Sequence, residues 1–171
     1  MAAFSRLFTI WFLIAGILVY TCIELMRVHG KKIPFITALT VLASRPREQG
    51  RFVFGPVTLG LGGLAAIVFF PPQTAAIAIY ALAFGDGLAS LAGLTIGRIR
   101  PAFMCGKSLE GSFACFAAVF LITLKVSGSL VTGLAAALAA TVAEALPLHD
   151  FDNIAVPLAT AIAVAIAVSL I

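Results

Sequence analysis

The chain has 171 residues, 62% hydrophobic and 11% charged, with a formal net charge of +4 and a mean hydropathy of +1.15. A soluble domain of this length carries about 25% charged residues, so composition excludes both an ordinary water-soluble enzyme and a disordered chain. The three cysteines, Cys22, Cys105 and Cys115, form neither a disulfide framework nor a zinc motif, and the length suits a single membrane-embedded domain over 1–171.

In chain order, uncharged stretches of about 18 or more residues predict membrane-spanning helices. The first is Leu7 to Ile23; its apolar run is too long for a signal-peptide core and no small-x-small cleavage site follows it. After it comes the long loop Arg27 to Phe54. Its apolar centre, Ile33 to Ala43, follows two lysines and predicts an interfacial or re-entrant helix. Phe52 to Gly85 is too long for one span, and the Pro71-Pro72 pair divides it. One helix then runs from about Gly55 to Phe70, and another from Gln73 through Asp86 to about Gly97. Ser112 to Leu124, Ser129 to Leu146 and Ile154 to Ile171 complete an all-α, polytopic architecture of about six spans.

Six spans put segments 26–54, 98–111 and 147–153 on one side. That side holds Arg27, Lys31, Lys32, Arg45, Arg47, Arg51, Arg98, Arg100 and Lys107, against Arg6 and Lys125 on the other. The bias predicts cytoplasmic long loops, with both termini on the opposite side.

An ionisable group within a span costs roughly 2.5–3.5 kcal/mol on insertion scales, so each one is a functional candidate. Asp86 lies between Gly85 and Gly87, and helical spacing places Asp86, Ser90, Gly93 and Gly97 on one stripe. The glycines fit either close helix packing or close approach of a phosphate or metal to the backbone. Gly106-Lys107-Ser108-Leu109-Glu110-Gly111-Ser112 reads as a capped helix start, where backbone amides and a lysine can receive an anion. It lacks the glycine pattern and preceding strand of a P-loop. Glu144 faces the small residues Gly133, Ala137 and Ala140, while Asp152 or Asn153 can cap the final helix ahead of Pro157. His149 reads as an ordinary loop histidine, Arg45 to Arg51 as a membrane-surface basic run, and Glu24 with Arg27 as an i, i+3 surface pair. Carboxylates at 86, 110, 144 and 152 beside Lys107 suit Mg²⁺, which uses few carboxylates plus substrate phosphates. The implied chemistry is phosphoryl or nucleotidyl transfer to a lipid-directed substrate.

Gly85-Asp86-x-x-Ala89-Ser90-x-x-Gly93, Lys107-Ser108-x-Glu110-Gly111-Ser112, Glu144-Ala145 and Asp152-Asn153-x-x-Val156-Pro157 together resemble the polyprenol kinase family of dolichol kinase, phytol kinase and CTP-dependent diacylglycerol kinase. Arg47-Glu48-x-x-Arg51 and Glu24-x-x-Arg27 are similar to that family's earlier motifs. Its further N-terminal Arg-Lys-x-x-His helix has no counterpart, so the chain is expected to be a short form. The resemblance implies transfer of the γ-phosphate of CTP to a membrane lipid alcohol with Mg²⁺ or another divalent metal. It implies Asp86, Lys107 and Glu144 as catalytic residues and Asp86, Glu110, Glu144 and Asp152 as metal ligands. Arg47, Glu48, Arg51, Ser90, Gly93, Lys107, Ser108, Glu110, Gly111, Ser112 and Asn153 would bind the nucleotide. Expected partners are the lipid alcohol, CTP, membrane lipids and, as an open option, a second copy of the chain, but no nucleic acid.

Three other readings stand beside it. Phosphatidate cytidylyltransferase shares a Gly-Asp…Lys-x-x-Glu-Gly stretch, but its lysine-aspartate and His-Gly-Gly signature is absent. CDP-alcohol phosphotransferases need Ala and Arg where Ser90 and Leu91 stand. A non-enzymatic small-residue carrier, with Asp86 and Glu144 on an ion path, is the third alternative.

Overall fold

The computed structural model describes residues 2–30 and 52–170. The expected interfacial segment Ile33–Ala43, the basic run and the candidate residues Arg47, Glu48 and Arg51 lie outside them. Among the described residues the regular structure is helical: α1 (Ala2–Val28), α2 (Gly55–Phe69), α3 (Pro72–Tyr80), α4 (Gly87–Thr95), α5 (Leu109–Ser127), α6 (Leu130–Ala145) and α7 (Asp152–Ser169). A π-helical segment, Ala81–Asp86, joins α3 to α4. Four helical stretches are long and apolar enough to cross a membrane: Ser5–Val28, Pro72–Thr95, Leu109–Ser127 and His149–Ser169. Helices α2 and α6 are equally apolar but shorter, with 15 and 16 residues, so the expected six spans correspond to four full-length helices and two short ones.

The chain divides into two compact units, Met1–Leu61 and Gly62–Ile171. In the first, α1 exposes Leu7, Phe8, Trp11, Phe12, Leu18 and Val19, as a lipid-facing helix should. At its C-terminal end Glu24 is 1% exposed, which corrects the surface-pair expectation. Arg27 donates to it through Nε (2.8 Å) and Nη2 (2.6 Å), and the amide of Val53 donates to the same carboxylate at 2.9 Å. The Tyr20 hydroxyl donates to the Val53 carbonyl at 3.2 Å. Both polar groups of one backbone residue are thus satisfied by side chains of α1 just before α2 begins, as buried backbone requires.

The second unit is built on small residues. Helices α5, α6 and α7 pack side by side, α6 against both others, around Cys115, Val119, Ala136, Ala137, Ala140, Val156 and Val164. Alanine at these positions lets helix backbones approach closely, which drives association where no hydrophobic effect operates between helices. Pro71 and Pro72 start α3, as proline at a first turn does. Gly128, at φ +70°, ends α5, and Ser129 caps α6 by accepting from the Thr132 amide, making a tight hairpin.

Pro157 falls inside α7, where it has no N–H to contribute to the helical hydrogen-bond ladder. Gly62 meets that position: a Cβ there would sit 2.1 Å from the Asn153 oxygen. The α5 crossing with α4 is equally close, since a Cβ on Gly111 would lie 2.6 Å from the Ala89 carbonyl oxygen and one on Gly97 would lie 2.7 Å from Ser108 Oγ.

Candidate functional site

Three helix ends meet in the second unit: the N-terminus of α5, the C-terminus of α6 and the N-terminus of α7. Lys107 precedes α5 in the turn Cys105-Gly106, where both residues adopt positive φ (48° and 95°). Its ammonium donates to the main-chain carbonyl of Glu144, and lies 3.5 Å from Glu144 Oε1 and 3.2 Å from Asp152 Oδ2. Each contact has a local reason. The Glu144 carbonyl is among those that a helix C-terminus leaves without partners, where a cation is favoured. Asp152 sits in the first turn of α7 and accepts from the Asn153 amide through Oδ1 at 2.9 Å, leaving Oδ2 for the lysine. Glu144 Oε2 accepts from the Ser112 hydroxyl at 3.1 Å. Glu144 and Asp152 are buried, as are Ser108 and Ser112, so the lysine's charge is matched in a largely dehydrated setting.

Lys107 therefore does not snorkel; its ammonium lies among three oxygens, two of them hydrogen-bonded to it. Ser108 caps α5 by accepting from the Gly111 amide at 3.1 Å, as the sequence predicts. The Leu109 amide donates to the Ile99 carbonyl, the Ser112 amide to the Ser108 carbonyl, and the Glu110 amide to its own side chain. The first-turn amides of α5 are thus satisfied within the chain, which differs from an open anion cradle. The reason is the loop before it, which folds back far enough to supply acceptors.

Glu110 is turned into that loop. Its carboxylate accepts from the amides of Arg98 (3.0 Å) and Ile99 (3.2 Å). Among the described residues no three His, Cys, Asp or Glu side chains gather as a metal site. The expected four-carboxylate shell is not assembled; Glu144 and Asp152 meet at Lys107, and Glu110 holds the loop. Asp86 closes the π-helical segment and is half-buried. Such segments interrupt helices frequently at functional positions. The Gly85 beside it packs on α5, where a Cβ would meet Val119 and Cys115.

The remaining candidates separate. Ser90 is exposed, while Gly93 and Gly97 lie against Ser108, so the glycines of that stripe serve helix contact. Asn153 is half-buried beside Asp152, its carbonyl against Gly62. His149 is exposed, its Nδ1 3.2 Å from the Pro147 carbonyl. Arg100 is the residue that sequence reasoning missed. Its guanidinium bonds the carbonyl of Gly106 and, at 2.6 Å, that of Gly93, tying the loop to α4 directly before Lys107. The arginine before Pro101 was a signal for a loop anchor, but only the positive-inside count used it.

Comparison with known proteins points the same way. The chain is 30% identical over 160 aligned residues to a probable chloroplastic phytol kinase 1 of rice (Oryza sativa subsp. japonica), covering 83% of this chain and 51% of that protein. It is 35% identical over 126 residues to a phytol kinase of Synechocystis, covering 66% of this chain and 54% of that protein. The chain spans about half the length of these curated relatives. No family profile matches it, and no solved structure does.

Proposed function

We propose that this chain carries the catalytic centre of a CTP-dependent kinase for a membrane lipid alcohol of the polyprenol, phytol or diacylglycerol type, working at the cytoplasmic face. The observation that carries the reading is the buried Lys107–Glu144–Asp152 cluster at three helix ends, in a chain similar to two proteins named phytol kinase. Positive charge collected on the loops 26–54 and 98–111 supports the cytoplasmic placement.

The donor set fits a hard cation: two carboxylates and a carbonyl already converge on one positive charge. Glu144 and Asp152 would hold Mg²⁺, which would neutralise the phosphate charge that develops during transfer. Lys107 faces the transferred phosphoryl group once its carboxylates are engaged. Ser112 fixes the Glu144 rotamer, and Arg100 holds the loop that carries Lys107. The bond from the γ-phosphorus to the CDP leaving oxygen breaks while a bond to the lipid hydroxyl oxygen forms. The hydroxyl proton passes late to a carboxylate, a role this reading assigns to Asp86. Little covalent work falls to the protein, so positioning and charge dominate.

Product analysis tests this. Purified protein in detergent, given CTP, Mg²⁺ and mixed lipid alcohols, is expected to release CDP and form a lipid monophosphate. Pyrophosphate and a CDP-lipid from phosphatidate would replace the reading with a cytidylyltransferase. No turnover and no CTP-dependent thermal shift would replace it with a carrier.

A further inference from the structure

The ammonium of Lys107 occupies a cradle of three oxygens: the Glu144 carbonyl, Glu144 Oε1 at 3.5 Å and Asp152 Oδ2 at 3.2 Å. Ser112 holds the other Glu144 oxygen and Asn153 the other Asp152 oxygen, so both carboxylates are aimed. Of the three N–H donors of a lysine ammonium, two are bonded to the Glu144 carbonyl and Asp152 Oδ2, and the charge is also paired with Glu144 Oε1, so in this position Lys107 is committed to these oxygens rather than to a phosphate. A hard divalent cation seeks the same kind of oxygens, and two cations cannot share so small a site without strong repulsion.

We infer that Lys107 and a divalent cation compete for this one cradle, so that metal loading expels the Lys107 ammonium and only then makes it available to the nucleotide phosphates. The inference rests on the metal-dependent reading above. Lys107 is in this sense a built-in counter-ion: it keeps two buried carboxylates neutralised until the metal–nucleotide complex arrives. Truncating it removes a competitor for the metal while also removing a phosphate contact, two effects of opposite sign on two ligands.

The test is Mn²⁺ binding to the full chain in detergent, followed by electron paramagnetic resonance without nucleotide. Lys107→Met is expected to bind Mn²⁺ at least about tenfold more tightly than wild type, the expected direction when a unit charge leaves the site, and Asp152→Asn in that background is expected to abolish the gain. Equal or weaker binding by Lys107→Met overturns the inference. A second measurement needs no variant: amine acylation of the wild type, read by mass spectrometry with and without Mg²⁺. Labelling of Lys107 is expected to rise several-fold while the exposed Lys125 stays constant; unchanged or reduced Lys107 labelling overturns it. Tighter metal binding by Lys107→Met without lipid phosphorylation by the wild type would sink the kinase reading alone, and phosphorylation without metal competition would sink this inference alone.

Discussion

Lys107 and Glu110 stand three residues apart and were grouped together by the sequence, yet they do different work. Lys107 reaches across to α6 and α7, whereas Glu110 turns back to cap the amides of Arg98 and Ile99. The difference is local: Glu110 lies in the first turn of α5 beside a loop whose N–H groups it satisfies, and Lys107 follows the left-handed residues Cys105 and Gly106, which lead it to a helix C-terminus. Glu144→Gln is expected to lower kcat/KM about 10²–10³-fold in lipid phosphorylation assays, on the scale of losing one charge-stabilising group at a transition state. Ser112→Ala should cost less, about tenfold, because it frees the Glu144 rotamer without removing the charge; Ser112→Thr should restore most of that loss. A Glu110→Gln effect as large as that of Glu144→Gln would show that the loop carboxylate belongs to the chemistry.

At the scale of elements, hydropathy and punctuation made most of the fold legible. Pro71-Pro72 divided α2 from α3, and Ser108 and Ser129 marked two helix starts. Three features were not legible. The burial of Glu24 depends on Val53, 29 residues away, and a local i, i+3 pattern carries no such information. The π-helical segment at Ala81–Asp86 changes helical register without any residue that forces it. Which glycines make close contacts is read only from their neighbours: Gly93 and Gly97 lie against Ser108 and Gly85 against Val119, while Gly87 has nothing within 4 Å; elsewhere, Gly111 faces the Ala89 carbonyl at a Cβ distance of 2.6 Å, whereas Gly63 has nothing within 4 Å. Gly111→Ala is therefore expected to destabilise by about 1–3 kcal/mol through overpacking. Gly63→Ala should stabilise by about 0.5–1 kcal/mol, as alanine does in a helix interior. Thermal unfolding in detergent reads both signs, and equal shifts would contradict the close α4–α5 contact.

For the whole molecule, the scarcity of charge is what made the sequence informative. Of eleven basic residues, all but Arg6 and Lys125 fall in two segments, 26–54 and 98–111, and the buried carboxylates Glu144 and Asp152 meet at a lysine from the second. Composition placed the helices in a membrane; it could not select which of four candidate carboxylates converge, because that depends on how helix ends dock. The predicted orientation has a direct check. Cys105 is exposed in the loop before α5 and Cys115 is buried, so a membrane-impermeant thiol reagent should label Cys105 in inside-out vesicles and not in right-side-out ones. The reverse pattern would put the site on the wrong side for a cytoplasmic nucleotide.

The central claim is that the Lys107–Glu144–Asp152 cluster transfers a terminal phosphoryl group to a lipid alcohol. Parallel reactions with CTP labelled at either the γ- or the α-phosphate, using wild type and Glu144→Gln with phytol-type and other lipid alcohols, test it most directly. The account predicts that γ-label alone enters the lipid, and that Glu144→Gln loses it. Entry of α-label into lipid, or undiminished γ-transfer by Glu144→Gln, would contradict it.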